Sequence, residues 1–138
     1  MKVIETQATS QTVWDGKFDA VILATGGVLN VPDVPGIERP SVVSALNVLR
    51  GTGTGGNVVV VGGGLAGCDV ALLLAEQGKR VVIVEMKDSI AQDLNTSLRV
   101  ALFERLARRD VQIYTGVHLA EVTDSGIVVH DKYSVKPG

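Results

Sequence analysis

Gly62, Gly64 and Gly67 stand in the spacing G-x-G-x-x-G immediately after the apolar run Val58, Val59, Val60 and Val61. Glycines at these steps permit a tight turn, a backbone that comes close to a ligand, and a helix that presses on the preceding strand. With Gly63 they form a loop from which a helix opens near Leu65 and Ala66. The first amides of such a helix lack intrahelical acceptors and carry the positive end of the aligned peptide dipoles. The chemistry they suit is anion binding and, in this spacing, the cradling of a dinucleotide pyrophosphate. Glu85 closes a second apolar run and lies 18 residues past Gly67 (85 − 67), near the roughly 20-residue offset of a carboxylate that accepts ribose hydroxyls. Met86 and Lys87 follow directly and complete the candidate contacts around the acid. The carboxylate would repel a ribose 2′-phosphate and so favours NADH over NADPH, whereas Lys87 and Arg80 would favour NADPH if they converged on the ribose.

Other reactive side chains carry plainer readings. Cys68 is the sole cysteine, so the chain holds no internal disulfide, redox pair or four-thiolate cluster. A helix start can lower a thiol pKa, but with no His or second Cys nearby in sequence a small buried packing residue is the preferred reading. Asp69 reads first as a first-turn acid that stabilises the helix N-terminus. Arg105, Arg108 and Arg109 read as a solvated helix end rather than an anion site. His118 and His130 show no metal-ligand spacing, so no metal site is expected. No side chain is assigned as catalytic acid, base or nucleophile.

These residues need elements to position them. Val70, Ala71, Leu73 and Leu74 recur at helical spacing over residues 69–77, with Gly78 as a left-handed cap. A strand over residues 80–85 follows. Asn95 opens a second helix with an apolar stripe of Leu98, Ala101, Leu102 and Leu106. Residues 111–115 return as a third strand, giving β-α-β-α-β. Residues 119–122 and 127–130 read as a hairpin around residues 124–126, and residues 132–135 as the start of another strand. Upstream, residues 2–8 and 19–27 read as strands, with a short helix or turn over residues 10–16. Pro32, Pro35, Gly36 and Pro40 make an extended connector, and Ser44 caps a short helix reaching Leu49. The fold expected is α/β, a Rossmann-like three-layer arrangement with a parallel sheet and a small antiparallel hairpin. The division expected is residues 1–43 and 44–138.

Composition narrows the partners. The 138 residues are 46% hydrophobic and carry 13 Lys plus Arg against 15 Asp plus Glu, for a net charge of −2. No basic field exists to hold nucleic acid or an anionic membrane, and no apolar run approaches the roughly 20 residues that span a bilayer. Met1 to Glu5 lack the layout of a signal peptide. The expectation is a cytoplasmic protein.

The chain resembles the NADH:flavin oxidoreductase family that includes 2,4-dienoyl-CoA reductase and trimethylamine dehydrogenase, in its C-terminal region. Three stretches carry the resemblance: residues 18–26 with the Ala24-Thr25-Gly26 run, residues 32–37 through 43–49, and residues 58–85. The first and third are similar more broadly to the FAD-dependent pyridine nucleotide-disulphide oxidoreductases, in which an NAD(P)H domain is inserted into an FAD domain. The resemblance implies that residues 1–43 are a strip of FAD domain plus connector and residues 44–138 the NAD(H)-binding domain. It adds Thr25 and Gly26 to the cofactor contacts and places Asp69 where related reductases carry an acid near the nicotinamide. It implies a fragment of a larger flavoprotein, inactive alone, in which NADH passes hydride to FAD, with FMN and a 4Fe-4S centre elsewhere in the parent. Its partners would be the dinucleotide and the parent's remaining domains, with homo-oligomerisation through the exposed edge of the strand at residues 21–24. The NAD domain of a disulfide reductase or NADH oxidase, and a non-catalytic NAD-sensing domain, are the competing readings.

Overall fold

The computed structural model describes residues 3–132. The chain forms two compact units, Met1–Asn30 and Val31–Gly138. In the first, helix α1 (Ser10–Asp15) is closed at both ends by local chemistry. Thr9 and Thr12 form a reciprocal capping box at its start, and Gly16 caps its end. The strands expected over residues 2–8 and 19–27 are not formed among the described residues; the chain there is irregular, with Ile22 91% and Leu23 82% exposed. Apolar, β-branched composition favours a strand only where a neighbour supplies the ladder and covers the faces. The first unit provides no such neighbour among its described residues.

In the second unit, strands β1 (Asn57–Val61), β2 (Arg80–Glu85) and β3 (Gln112–Thr115) form a parallel sheet in the order β1-β2-β3. The register sets Val60 beside Ile83 and Ile83 beside Ile113. The crossovers are helices α3 (Leu65–Glu76) and α4 (Thr96–Arg108). Side chains alternate across the sheet. Val60, Val81 and Ile83 are buried in the core shared with Cys68, Ala71, Leu74, Leu102 and Leu106 of the helices. Val59 and Val61, on the other parity, remain 40% and 48% exposed. The second face is met by the hairpin of β4 (Val117–Thr123) and β5 (Gly126–Asp131), leaving an apolar cavity of about 220 Å³ lined by Val82, Val84, Tyr114, Val117 and Ile127 among others.

α3 begins four residues earlier than the 69–77 periodicity indicates, because its first turn is the glycine loop itself. It ends as expected. Gly78 is left-handed at φ +78, its amide reaches Ala75 O at 3.0 Å and the Lys79 amide reaches Leu74 O at 3.2 Å, the double closure of a Schellman motif. Asn95 caps α4, its side chain accepting from the Leu98 amide at 3.0 Å. The expected stripe on α4 is narrower: Leu102 and Leu106 are buried, while Leu98 is 57% exposed and Ala101 is exposed. Arg99 takes the inward position at that end, with its guanidinium 5.6 Å from the Phe103 ring centre and bonded to the Ser89 hydroxyl. Arg105 and Arg109 lie on a solvated face, 3.8 and 4.0 Å from Glu76.

The connector is tied to the hairpin. The Val122 amide donates to Pro35 O at 2.9 Å and Arg39 Nε donates to Val122 O at 3.0 Å, while Arg39 also pairs with Asp124. Gly36, at φ +79, passes so close that a Cβ would collide with Val122 O. Beyond it, helix α2 (Ala45–Leu49) starts at Ser44, whose hydroxyl accepts from the Asn47 amide at 3.2 Å. Of the strand expected at residues 132–135, residues 133–135 lie outside the described range and Lys132 is in a turn.

Candidate functional site

The site forms where β1 ends and α3 begins. Gly62 turns the chain at φ +105, with its amide still on the sheet through Val84 O at 2.8 Å. A Cβ at Gly67 would collide with the Gly62 carbonyl oxygen and lie 3.5 Å from Val60 Cγ1, so this glycine allows the helix to close on the strand. Gly63 is packed just as tightly: a Cβ there would strike Ile90 Cγ2 and lie 3.2 Å from Glu85 Cβ. Gly64 is different. A Cβ built on it meets nothing within 4 Å, and its backbone is ordinary at φ −70 and ψ 179. Nothing in the surrounding protein fills the space beside it. Gly64 is also the N-cap of α3 and offers no side-chain cap, so the amides opening the helix at the exposed Leu65 and Ala66 have their dipole end uncapped. This arrangement fits a pyrophosphate.

Glu85 approaches from β2. It shares the parity of Val81 and Ile83, so its side chain enters the face carrying α3, where it is only 8% exposed. Its carboxylate is divided between two neighbours. Oε2 accepts from the Gly63 amide at 2.6 Å and Oε1 from the Lys87 amide at 2.7 Å. A carboxylate has about four acceptor positions, so two remain after these bonds. Acid and glycine loop are therefore one hydrogen-bonded unit, a coupling that the 18-residue spacing alone does not reveal.

The remaining candidates are placed as follows. Met86 is 56% exposed and Lys87 is exposed, both in the loop after β2. Arg80 starts that strand and Lys87 follows its end, a separation on the order of 16 Å or more at strand rise; the two cannot converge on one ribose. Asp69 is exposed and is the fifth residue of α3, whose first turn carries no acid. It is therefore not the N-terminal stabiliser its sequence position suggested. Thr25 and Gly26 belong to the first unit, in exposed chain outside any helix or strand, with Gly26 left-handed at φ +80. Cys68 is fully buried, with Sγ 3.5 Å from Gly63 O. Burial, then the negative charges of Asp69 and Glu85, pushes its thiol up from 9.0 to about 11, opposite to the lowering a bare helix dipole would give.

One contributor escapes a motif search. Ile90 is fully buried against Gly63, and the Ala91 amide donates to Gly63 O at 2.7 Å with Ala91 left-handed at φ +51. The loop over residues 86–95 is thus a lid packed on the glycine turn. Its signal in the sequence is faint: Ile90 and Ala91 between the polar pairs Asp88-Ser89 and Gln92-Asp93. No group of three or more His, Cys, Asp or Glu among the described residues could hold a metal. No helix among them is long and apolar enough to cross a membrane.

The family model of the pyridine nucleotide-disulphide oxidoreductases matches residues 2–137. The chain belongs to that family. Among its relatives, bilirubin reductase of Mediterraneibacter gnavus is 38% identical over 110 residues, covering 79% of this chain and 17% of the relative. NADH oxidase of Thermoanaerobacter brockii is 35% identical over 130 residues, covering 91% and 20%. A solved 2-naphthoyl-CoA reductase superposes with a TM-score of 0.75 at 29% identity, over 90% of this chain and 19% of that one. The chain thus spans about a fifth of these oxidoreductases' length. Membership implies use of FAD and NAD(P)H and bears out the α/β architecture and the flavoreductase resemblance.

Proposed function

We propose that this chain is the NADH-binding domain of a larger flavin-dependent oxidoreductase. The observation that carries the reading is the join between Glu85 and the Gly63 amide beside an open Gly64. It sets a ribose acceptor and a phosphate cradle at fixed distance. The first amides of α3 and the bare backbone at Gly64 receive the pyrophosphate, Glu85 accepts the adenosine ribose hydroxyls, and Ile90 keeps water from beneath the loop. Glu85 supplies negative charge where NADPH would bring a 2′-phosphate, so NADH is the preferred partner. The nicotinamide cofactor supplies hydride chemistry once bound; the protein's contribution is position.

In the whole enzyme the hydride acceptor is FAD, held largely by other parts of the parent, with Thr25 and Gly26 on the flavin side and Asp69 facing the nicotinamide. The functional division is residues 1–43 with the flavin domain and residues 44–138 with the dinucleotide. Likeness to the 2-naphthoyl-CoA reductase and the bilirubin reductase supports a parent that delivers these electrons to an unsaturated organic substrate; the flavoreductase resemblance adds FMN and an iron-sulfur centre elsewhere in that parent as the carriers between. Isothermal titration of the chain with NADH and NADPH tests the core of the reading. Tighter binding of NADH, with the difference narrowed in Glu85→Gln, is expected; preference for NADPH overturns it.

A further inference from the structure

We infer that His118 and His130 form a two-histidine site for a divalent transition-metal ion on the outer face of the hairpin. The two stand 12 residues apart in sequence (130 − 118), a spacing that belongs to no metal motif, and only strand pairing brings them together. The register of β4 and β5 sets His118 directly opposite His130. They also share a face. Val117, Ile127 and Val129 line the apolar cavity under the parallel sheet, so with side chains alternating along each strand His118 and His130 project the other way. Both are exposed. Neither imidazole is engaged by a hydrogen bond or ion pair among the described residues, and a neutral imidazole keeps one nitrogen lone pair to offer.

The spacing suits one shared ion. Directly opposite residues of an antiparallel pair have Cβ atoms about 4.5–5.5 Å apart, and two nitrogens held about 2.0–2.1 Å from one metal lie roughly 3 Å from each other. Imidazole rings turned toward one another across the ladder cover that difference. No third protein ligand joins them: no group of three or more His, Cys, Asp or Glu among the described residues could hold a metal, and the next row of the same face, past a bulge, pairs Glu121 with Val128. The site therefore supplies two nitrogens and leaves the remaining positions to water. Such a ligand set selects by chemistry. Imidazole suits copper, nickel and zinc, with copper(II) held most tightly, whereas magnesium and calcium take oxygen. Local charge does not oppose a cation: Lys87 and Lys132, which line the cavity beside His118, are matched by Asp88, 2.9 Å from Lys132 Nζ, and by Asp131 next to His130. An ion bound here clasps β4 to β5, the hairpin to which Pro35 and Arg39 fasten the connector. The site stands apart from the dinucleotide reading and does not depend on it.

Titration calorimetry with the chlorides of copper(II), nickel(II), zinc(II) and magnesium tests the inference. One ion per chain is expected, with copper(II) bound most tightly and no response to magnesium. The chain has two histidines, so its proton NMR spectrum carries two imidazole signals; with zinc(II) both are expected to move together and to saturate at one ion, with no rise in mass by light scattering. His118→Gln and His130→Gln are each expected to weaken binding by at least about tenfold, since even a residue behind a metal ligand is worth 10- to 100-fold. Because the pair acts as a unit, the double variant is expected to bind little more weakly than either single one. A wild type that binds none of these ions, single variants that bind like the wild type, losses that simply add as for two separate histidines, or an ion that joins two chains would each overturn the site.

Discussion

The Gly63 amide donates to Glu85 Oε2 across 2.6 Å, tying the phosphate turn to the acid at the end of the neighbouring strand. On the dinucleotide reading proposed above, one residue serves stability and selectivity together. Replacing Glu85 by Gln keeps an acceptor for Gly63 but removes the charge that opposes a 2′-phosphate. Glu85→Gln is expected to bring the NADH and NADPH affinities together at little cost to stability. Glu85→Ala strands the Gly63 amide and is expected to cost about 1–3 kcal/mol as well, the range for an unsatisfied buried donor. Titration calorimetry with both cofactors and urea denaturation of each variant separate the two effects.

The glycines divide by the reason each is needed. Gly67 faces the Gly62 carbonyl and leaves no room for a methyl group, so Gly67→Ala is expected to destabilise the fold by at least about 1–3 kcal/mol, as overpacking does. Gly64 faces open space. Gly64→Ala is expected to lose only about 1 kcal/mol, the scale of an N-cap change, yet to bind NADH more weakly by an order of magnitude or more. A Gly64→Ala variant that folds and binds NADH like the wild type would show that the space beside it does not receive the pyrophosphate.

Cys68 gives a pH signature of the same loop. Its thiol pKa rises from 9.0 in the unfolded reference to about 11 in the fold, first by burial and then by the charges of Asp69 and Glu85. The folded state then holds the proton longer than the unfolded chain does. This contribution is fully present below about pH 9 and is lost as pH rises to about 11, on the order of 2 kcal/mol in all. Denaturation midpoints measured from pH 8 to 11 are expected to fall more steeply for the wild type than for Cys68→Ala. Native protein at pH 8 is expected to resist thiol alkylation until it is unfolded.

Much of the second unit was legible because local and tertiary signals agree there. Asn95, Ser44 and Gly78 mark helix ends through hydrogen bonds to their own neighbourhoods, and the glycine spacing requires a strand on one side and a helix on the other. What escaped depends on distant partners. The run Val58 to Val61 is equally apolar on both parities, so it does not tell which face the helices cover. Leu98 satisfies the helical period, but Arg99 takes the inward place because the Ser89 hydroxyl and the Phe103 ring await it. The Glu85 to Gly63 bond joins residues 22 apart in sequence, and Ile90 reaches the site through a loop without a motif. Arg80 and Lys87 are both cations near the acid in sequence, but strand geometry separates them.

The largest departure, the unformed strand over residues 19–27, has its own consequence. Val21, Ile22 and Leu23 are 48%, 91% and 82% exposed, followed by Val28 at 99%, in irregular chain with no ladder partner among the described residues. Once extended, apolar backbone with free donors and acceptors is a template for pairing with another strand. In the parent, a flavin-domain sheet would meet that need; in the chain alone, a second copy is the available substitute. Light scattering coupled to size exclusion is expected to show association that grows with concentration. Ile22→Lys, which places charge at an exposed point and disturbs no core contact, is expected to suppress it without changing NADH affinity. A wild type that stays monomeric at high concentration would show that this segment does not pair with itself.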